Sequence, residues 1–257
     1  MFGTIRNLEG EKIDYTFQQG HHAEQLILVL GHGVTGNKDR PFLVALTDAL
    51  GTAGISTLRM SFSGNGDSDG RFEAATISKE AEDLGCVISA LHGWTILYLG
   101  HSMGGAVGVL RASQDSRIRG LISLAGMVHT DAFAQREFRD VTPDQGFMWD
   151  EPTSPLSQAF IDDTAAIGTV VTHAPSIQVP WLLVHGTADD VVPIQDSLDI
   201  FERANEPKQL KPINGADHMF SEHTPDMIKI VVEWVRGQFI HASISRPLHK
   251  GAEANQE

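Results

Sequence analysis

Short, continuous apolar runs alternate with amphipathic stretches along most of this chain, and that alternation restricts its fold more than any other feature. The runs "LILVLG" (Leu26–Gly31), "ISTLRM" (Ile55–Met60), "TILYLG" (Thr95–Gly100), "GLISLAG" (Gly120–Gly126) and "WLLVHG" (Trp181–Gly186) show no polar alternation, so they read as strands buried on both faces. Between them, Phe42, Leu43, Leu46, Ala49, Leu50 and Ala53 recur at helical spacing, with Asp39 placed to cap the helix. Ile77, Ala81, Leu84, Ile88 and Leu91 mark a second helix face. Further helices are predicted over Met103–Ser113, Gln195–Ala204 and Pro225–Phe239, and a strand over Gln209–Ile213. Buried strands separated by helices imply an α/β fold, a mostly parallel sheet flanked by helices on both faces. The more polar segments Thr4–Asn7 and Lys12–Thr16 are predicted as antiparallel edge strands, which makes the expected sheet eight-stranded.

The alternation is interrupted once, between Met127 and Val179. That segment carries Asp131, Glu137, Asp140, Asp144, Asp150, Glu151, Asp162 and Asp163 against only Arg136 and Arg139. It is read as a short lid or cap insertion, 127–179, over the carboxyl ends of the strands, where such sheets bind ligands. Residues 1–126 and 180–242 form the core, and the polar tail 243–257 is expected to be disordered.

A length of 257 residues, 41% of them apolar, is enough for one well-buried core. The formal charge of −14 argues against nucleic acid and anionic membrane surfaces as partners. No apolar run approaches a membrane span, and the N-terminus lacks the basic-then-apolar pattern of a signal peptide. The single cysteine, Cys86, excludes an internal disulfide, so a cytoplasmic location is expected. Its place among Leu84, Val87 and Ile88 reads as packing.

Gly-x-Ser-x-Gly occurs twice, at Gly100–Gly104 and at Gly66–Gly70. Ser102 directly follows an apolar strand and opens a helix of small residues. That context forces a sharp, strained turn and lifts the hydroxyl above the sheet, with a helix N-terminus behind it. Ser68 has no strand directly before it and lies between Asp67 and Asp69, whose carboxylates would oppose a developing oxyanion. Ser102 is therefore the candidate nucleophile.

A serine hydroxyl needs a base. Of twelve histidines, His218 in "GADHMF" lies in a turn between a short strand and the last helix, at the strand ends. His185 is read as orienting backbone, and His101 as unable to fold back onto the adjacent Ser102. For the residue that orients His218, Asp189 and Asp190 both follow "WLLVHGTA", and Asp189 is favoured by its place in the His-Gly-x-x-Asp turn. Oxyanion donors are expected from the backbone N–H of Met103 and, through the glycines of "HGVTG", from that of Val34.

With these residues in view, the chain resembles the α/β-hydrolase superfamily of serine esterases, lipases and S33-type aminopeptidases. Within it, the chain is similar to bacterial cinnamoyl or feruloyl esterases and monoacylglycerol lipases. The motifs "HGVTGNKD", "SFSGNGDSDGRFE", "GHSMGG", "HGTADDVVP" and "GADHMF" carry the resemblance in order and spacing. It implies Ser102, Asp189 and His218 as a triad and Val34 and Met103 as oxyanion donors. The chain departs from the family at Val34, where a larger aromatic is frequent, at Ser61, where aspartate often stands, and at Asn65, where histidine is common.

The function expected is hydrolysis of small to medium uncharged carboxylic esters through an acyl-serine. The competing readings are an S33-type aminopeptidase or amidase, which would use acids to hold a free amine, and a non-catalytic protein of this fold. No HExxH, CxxC or P-loop is present, so neither metal nor cofactor is expected. The expected partner is a small-molecule ester, for a monomer or homodimer.

Overall fold

The computed structural model describes residues 2–21 and 25–240, so the predicted tail 243–257 lies outside the described residues. The chain opens with two short strands, β1 (Ile5–Arg6) and β2 (Lys12–Ile13), paired antiparallel with Ile5 opposite Ile13. β3 (Tyr15–Gln18) then runs antiparallel along the edge of the main sheet, with Phe17 opposite Leu58. The main sheet therefore has seven strands among the described residues, not the eight expected. The predicted strand Lys12–Thr16 divides at Asp14, whose N–H is taken by the Ser68 hydroxyl and whose carbonyl accepts from the Ser61 N–H.

The parallel strands follow: β4 (Leu26–Gly31), β5 (Ser56–Met60), β6 (Thr95–His101), β7 (Ile118–Leu124), β8 (Trp181–Gly186) and β9 (Lys208–Ile213), in the order β3-β5-β4-β6-β7-β8-β9. The helices between them are α1 (Pro41–Thr52), α2 (Ile77–Ala90), α3 (Met103–Ala112), α4 (Thr130–Phe138), α5 (Gln158–Ile167), α6 (Ile194–Arg203) and α7 (Thr224–Val235). The mostly parallel sheet with helices on both faces is the α/β fold expected from the alternating runs.

Period-two alternation sends each strand's side chains to two separate cores. Leu28 and Leu30 of β4, Leu97 and Leu99 of β6 and Val184 of β8 pack under α1 and α7. Ile27 and Val29, Ile96 and Tyr98, and Leu183 face the other way, toward α2, α3 and α6. Fully burying each such side chain stabilises the fold by roughly 1.5–3 kcal/mol. The predicted cap of α1 differs. Arg40, not Asp39, stands at the N-cap, and the Asp39 carboxylate accepts from Lys38 and Arg59 instead.

Segment 127–179 joins β7 to β8 through α4 and α5. It is not a detached lobe: Phe133, Phe138 and Phe160 are buried and continuous with the core on the α2 and α3 face. The Asp163 carboxylate accepts from the Ser78 N–H at the start of α2. At the centre of the sheet β4 lies between β5 and β6, so the connections leaving β4 and β6 diverge to opposite faces. This is a topological switch point, and a crevice opens there at the strands' carboxyl ends.

Candidate active site

Two chain turns meet at that crevice. β6 passes into α3 through a single residue, Ser102, at φ 53° and ψ −120°. For a side chain larger than glycine this backbone costs on the order of 1–3 kcal/mol. It is held from three sides: the Ser102 N–H donates to Leu124 O at 3.0 Å, and the Ser102 carbonyl accepts from Gly105 and Met127 at 2.8 and 3.0 Å. Gly100 makes the turn possible, because a Cβ there would run into the carbonyl of Gly104. Ser102 is almost fully enclosed, and its hydroxyl makes no hydrogen bond among the described residues, His218 included. Such contacts commonly close only when substrate binds.

The loop after β4 approaches closely. A Cβ on Gly33 would lie 2.8 Å from Ser102 Cβ and 3.3 Å from its Oγ, so only glycine brings the backbone here without displacing the serine. His32 pins this loop: its Nδ1 donates to Gly33 O at 2.8 Å and its Nε2 accepts from the Phe62 N–H at 3.1 Å. Burial lowers its pKa to about 4, which preserves the neutral ring that this pairing requires. Met103 is the first residue of α3, so its N–H has no acceptor within the helix.

His218 lies in the turn between β9 and α7. Its Nδ1–H donates to Asp189 Oδ2 at 2.8 Å, the tautomer that leaves the Nε2 lone pair of a neutral ring free. The Asp189 side chain is fully buried. Burial pushes its carboxyl up, but hydrogen bonds from His185 and His218 and from the Val192 N–H outweigh it and hold the group well below the usual carboxylate range. The other oxygen, Oδ1, accepts from the N–H groups of Val191 and Val192 at 2.9 and 2.8 Å. Asp190, the alternative considered from sequence, is exposed and makes no hydrogen bond or ion pair with His218.

Two histidines support this arrangement in ways the sequence reading did not specify. His185 Nε2 lies 3.3 Å from Asp189 Oδ2 and 2.9 Å from Val192 O, while its Nδ1 is 2.7 Å from Ser197 Oγ. His101 donates from Nε2 to the carbonyl of His218 at 3.0 Å, and its ring packs 4.7 Å from that of His218. Burial first, and then the neighbouring His218, lower the His101 pKa to about 3. The i, i+4 spacing of His185 and Asp189 was the available signal for the first. No local pattern signals the second.

Ser102, His218, Val34 and Gly33 line one cavity of about 360 Å³. Met103 contributes no side chain to it. From the insertion only Trp149 reaches the lining, with its indole N–H donated to Glu137 at 3.1 Å and its ring 4.9 Å from that of Phe138. None of the insertion's eight acids lines the cavity. Several are occupied elsewhere: Asp163 with Ser78, Asp144 and Asp162 with Gln158, and Glu137 with Trp149 and Arg136. The charged lining residues are instead Arg40, Asp190 and Asp217, which the sequence did not single out as cavity residues.

The remaining candidates take structural places. Ser68 donates to Ser61 O and accepts from Asp14 N, both at 2.8 Å. Ser61 Oγ accepts from Lys38 N, and Asn65 donates to Ser63 O. Cys86 is half-buried, and burial pushes its thiol pKa up. Among the described residues there is no group of three or more histidine, cysteine or acidic side chains arranged to hold a metal, and no helix long and apolar enough to cross a membrane.

The sequence matches the family described as serine aminopeptidase, S33, over residues 22–144 and 153–224. It is 24% identical over 188 residues to palmitoyl-protein thioesterase ABHD10, mitochondrial, of Bos taurus; the match covers 66% of this chain and 59% of that protein. The fold superposes on Est1E from Butyrivibrio proteoclasticus with ferulic acid bound at a TM-score of 0.82 and 25% identity, covering 92% of this chain and 99% of the other. It also superposes on the esterase EaEST from Exiguobacterium antarcticum at a TM-score of 0.72 and 20% identity, covering 92% and 100%; this second likeness speaks to the fold alone.

Proposed function

The chain belongs to the serine aminopeptidase, S33 family of the α/β-hydrolase superfamily and is a hydrolase, and on that footing we propose that it cleaves small to medium carboxylic esters through an acyl-serine intermediate. The observation that carries this reading is the 2.8 Å hydrogen bond from His218 Nδ1 to a buried, ionised Asp189, on the cavity that also holds Ser102 in its strained turn.

In this mechanism Ser102 Oγ attacks the ester carbonyl while His218 Nε2 takes the hydroxyl proton. Asp189 keeps the other ring proton on Nδ1 and stabilises the imidazolium. Negative charge gathers on the carbonyl oxygen, toward the N–H groups of Met103 and Val34, with the α3 N-terminus behind them. Collapse breaks the ester bond, and the alcohol leaves with the proton from His218. Water, deprotonated by the same nitrogen, then attacks the acyl-serine, and its breakdown returns the acid and free Ser102. Segment 127–179 acts as a lid that contributes Trp149 to the cavity wall.

A cavity of about 360 Å³ lies near the lower end for small-molecule sites and supports short to medium acyl groups. The acids Asp190 and Asp217 on its lining favour one second reading, in which they hold the free amine of an aminoacyl substrate. The test is kcat/KM across p-nitrophenyl acetate, butyrate, octanoate and palmitate, with a hydroxycinnamate ester and an aminoacyl anilide alongside. A maximum at butyrate to octanoate, or with the hydroxycinnamate, is expected. Preference for palmitate or for the anilide overturns the proposal.

A further inference from the structure

Among the described residues, Arg40 is the only lysine or arginine lining the cavity that holds Ser102. It is half-buried, and its Nη2 donates to the carbonyl of Thr35 at 2.9 Å, on the same loop as Val34. No carboxylate among the described residues pairs with it. The adjacent Asp39 is engaged by Lys38 and Arg59. Arg40 is also the N-cap residue of α1, a helix with no acid in its first turn, so that turn offers the cation no carboxylate. Both circumstances are unfavourable for a guanidinium with nothing bound to it. Its field extends toward the chemistry: burial does most to keep His32 and His101 neutral, and the charge on Arg40 adds to that effect at both rings.

The other charged lining residues are Asp190 and Asp217, which flank the Asp189 and His218 side. Asp217 is engaged by the Ser221 N–H at 2.8 Å. The cavity lining therefore carries one cation, on the 34–40 segment, and two acids, beside Asp189 and His218. A guanidinium with free N–H donors in a partly dry wall matches a planar carboxylate, which accepts two of them at once.

We propose that Arg40 is a specificity-determining residue that binds a carboxylate carried by the substrate, so that the preferred substrates are esters with an anionic group on the part lying along residues 34–40. The proposal rests on the reading of Ser102 as the reacting residue, and it replaces the uncharged ester expected from sequence.

Two matched pairs test it. Mono-p-nitrophenyl glutarate against p-nitrophenyl pentanoate places the charge on the acyl side, and 3-carboxyphenyl butyrate against phenyl butyrate places it on the alcohol side. In the wild type, the anionic-to-neutral ratio of kcat/KM should fall with added salt in one pair. In Arg40→Gln that ratio should drop on the order of 10- to 100-fold, and Arg40→Lys should restore part of it. An equal loss on both members of each pair overturns the proposal and leaves Arg40 as a clamp on the Thr35 carbonyl. An unmoved ratio in both pairs overturns it as well. Calorimetric binding of the two anionic esters to Ser102→Ala, and to Ser102→Ala with Arg40→Gln, decides the point without turnover. The second protein should bind one of them on the order of tenfold or more weakly, and equal affinities overturn the proposal. Failure of the wild type to hydrolyse any of the four esters, anionic or neutral, marks failure of the Ser102 reading instead.

Discussion

Gly66–Gly70 and Gly100–Gly104 are the same five-residue pattern in one chain, and the structure treats them oppositely. Around Ser102 a buried strand runs straight into a helix, the backbone is forced to φ 53°, and the hydroxyl has no hydrogen bond among the described residues. Around Ser68 the chain is a loop. The hydroxyl is taken at both ends by Ser61 O and Asp14 N, Asp69 accepts from Lys12 N, and the Ser63 N–H is held by Asp83. One serine stiffens its surroundings, and the other is stiffened by them. A free hydroxyl in a rigid turn suits a nucleophile, and a doubly bonded one suits a staple.

The largest difference between the two should appear on truncation. Ser102→Ala should lower kcat on p-nitrophenyl butyrate by on the order of 10⁴–10⁶ with an unchanged melting temperature or a higher one, since alanine also has to adopt the strained turn but loses no bond. Ser68→Ala should keep kcat within a few-fold while losing about 1–3 kcal/mol of stability in urea melts, because it strands two backbone groups. The reverse pattern breaks the comparison.

Next is the support of the reacting turn. Asp189→Asn should lower kcat by about 10⁴, because an amide at that point favours the wrong ring tautomer of His218. Asp190→Asn should cost only a few-fold. Gly33→Ala follows, at about 10²-fold in kcat/KM, since its Cβ would lie 2.8 Å from Ser102 Cβ and must displace it.

The smallest effect belongs to the support of the Ser68 loop. Glu80 is fully buried on α2, near Asp83, with neither carboxyl oxygen hydrogen-bonded. Burial first, then the charges of Asp83 and Asp163, raise its pKa well above the ordinary carboxyl value. The folded state therefore keeps a proton that the unfolded chain releases above about pH 4.3, so Glu80 costs stability increasingly as pH rises from there toward its folded pKa. Glu80→Gln should leave kcat unmoved and gain stability over the wild type as pH is raised from 4 to 8. A gain that is flat with pH, or a changed kcat, would show that α2 communicates with the reacting turn.

Much of this was legible in sequence because it is written in local periodicity. Continuous apolar runs located β4 to β8, and strand–glycine–serine–glycine–helix separated Ser102 from Ser68. What was not legible depends on where long-range partners fall. The division of the predicted second strand at Asp14 requires knowing that Ser68 lies beside it. The cap at Arg40 in place of Asp39 depends on Arg59, a strand away. The acids of segment 127–179 could be counted but not aimed, and most of those with partners bond within their own segment. Trp149 reaches the cavity through a turn whose backbone, at φ 49°, follows no residue preference.

The central claim is that Ser102 is the residue that attacks. Treating the protein with a p-nitrophenyl alkylphosphonate, followed by peptide mass spectrometry, tests it most directly, since the phosphorus stays on the attacking oxygen. The account predicts one adduct, on Ser102, formed with a burst of one nitrophenolate per chain, slowed by orders of magnitude in Asp189→Asn and abolished in Ser102→Ala. An adduct on Ser68, or no adduct on Ser102 in a protein that still hydrolyses p-nitrophenyl butyrate, contradicts it.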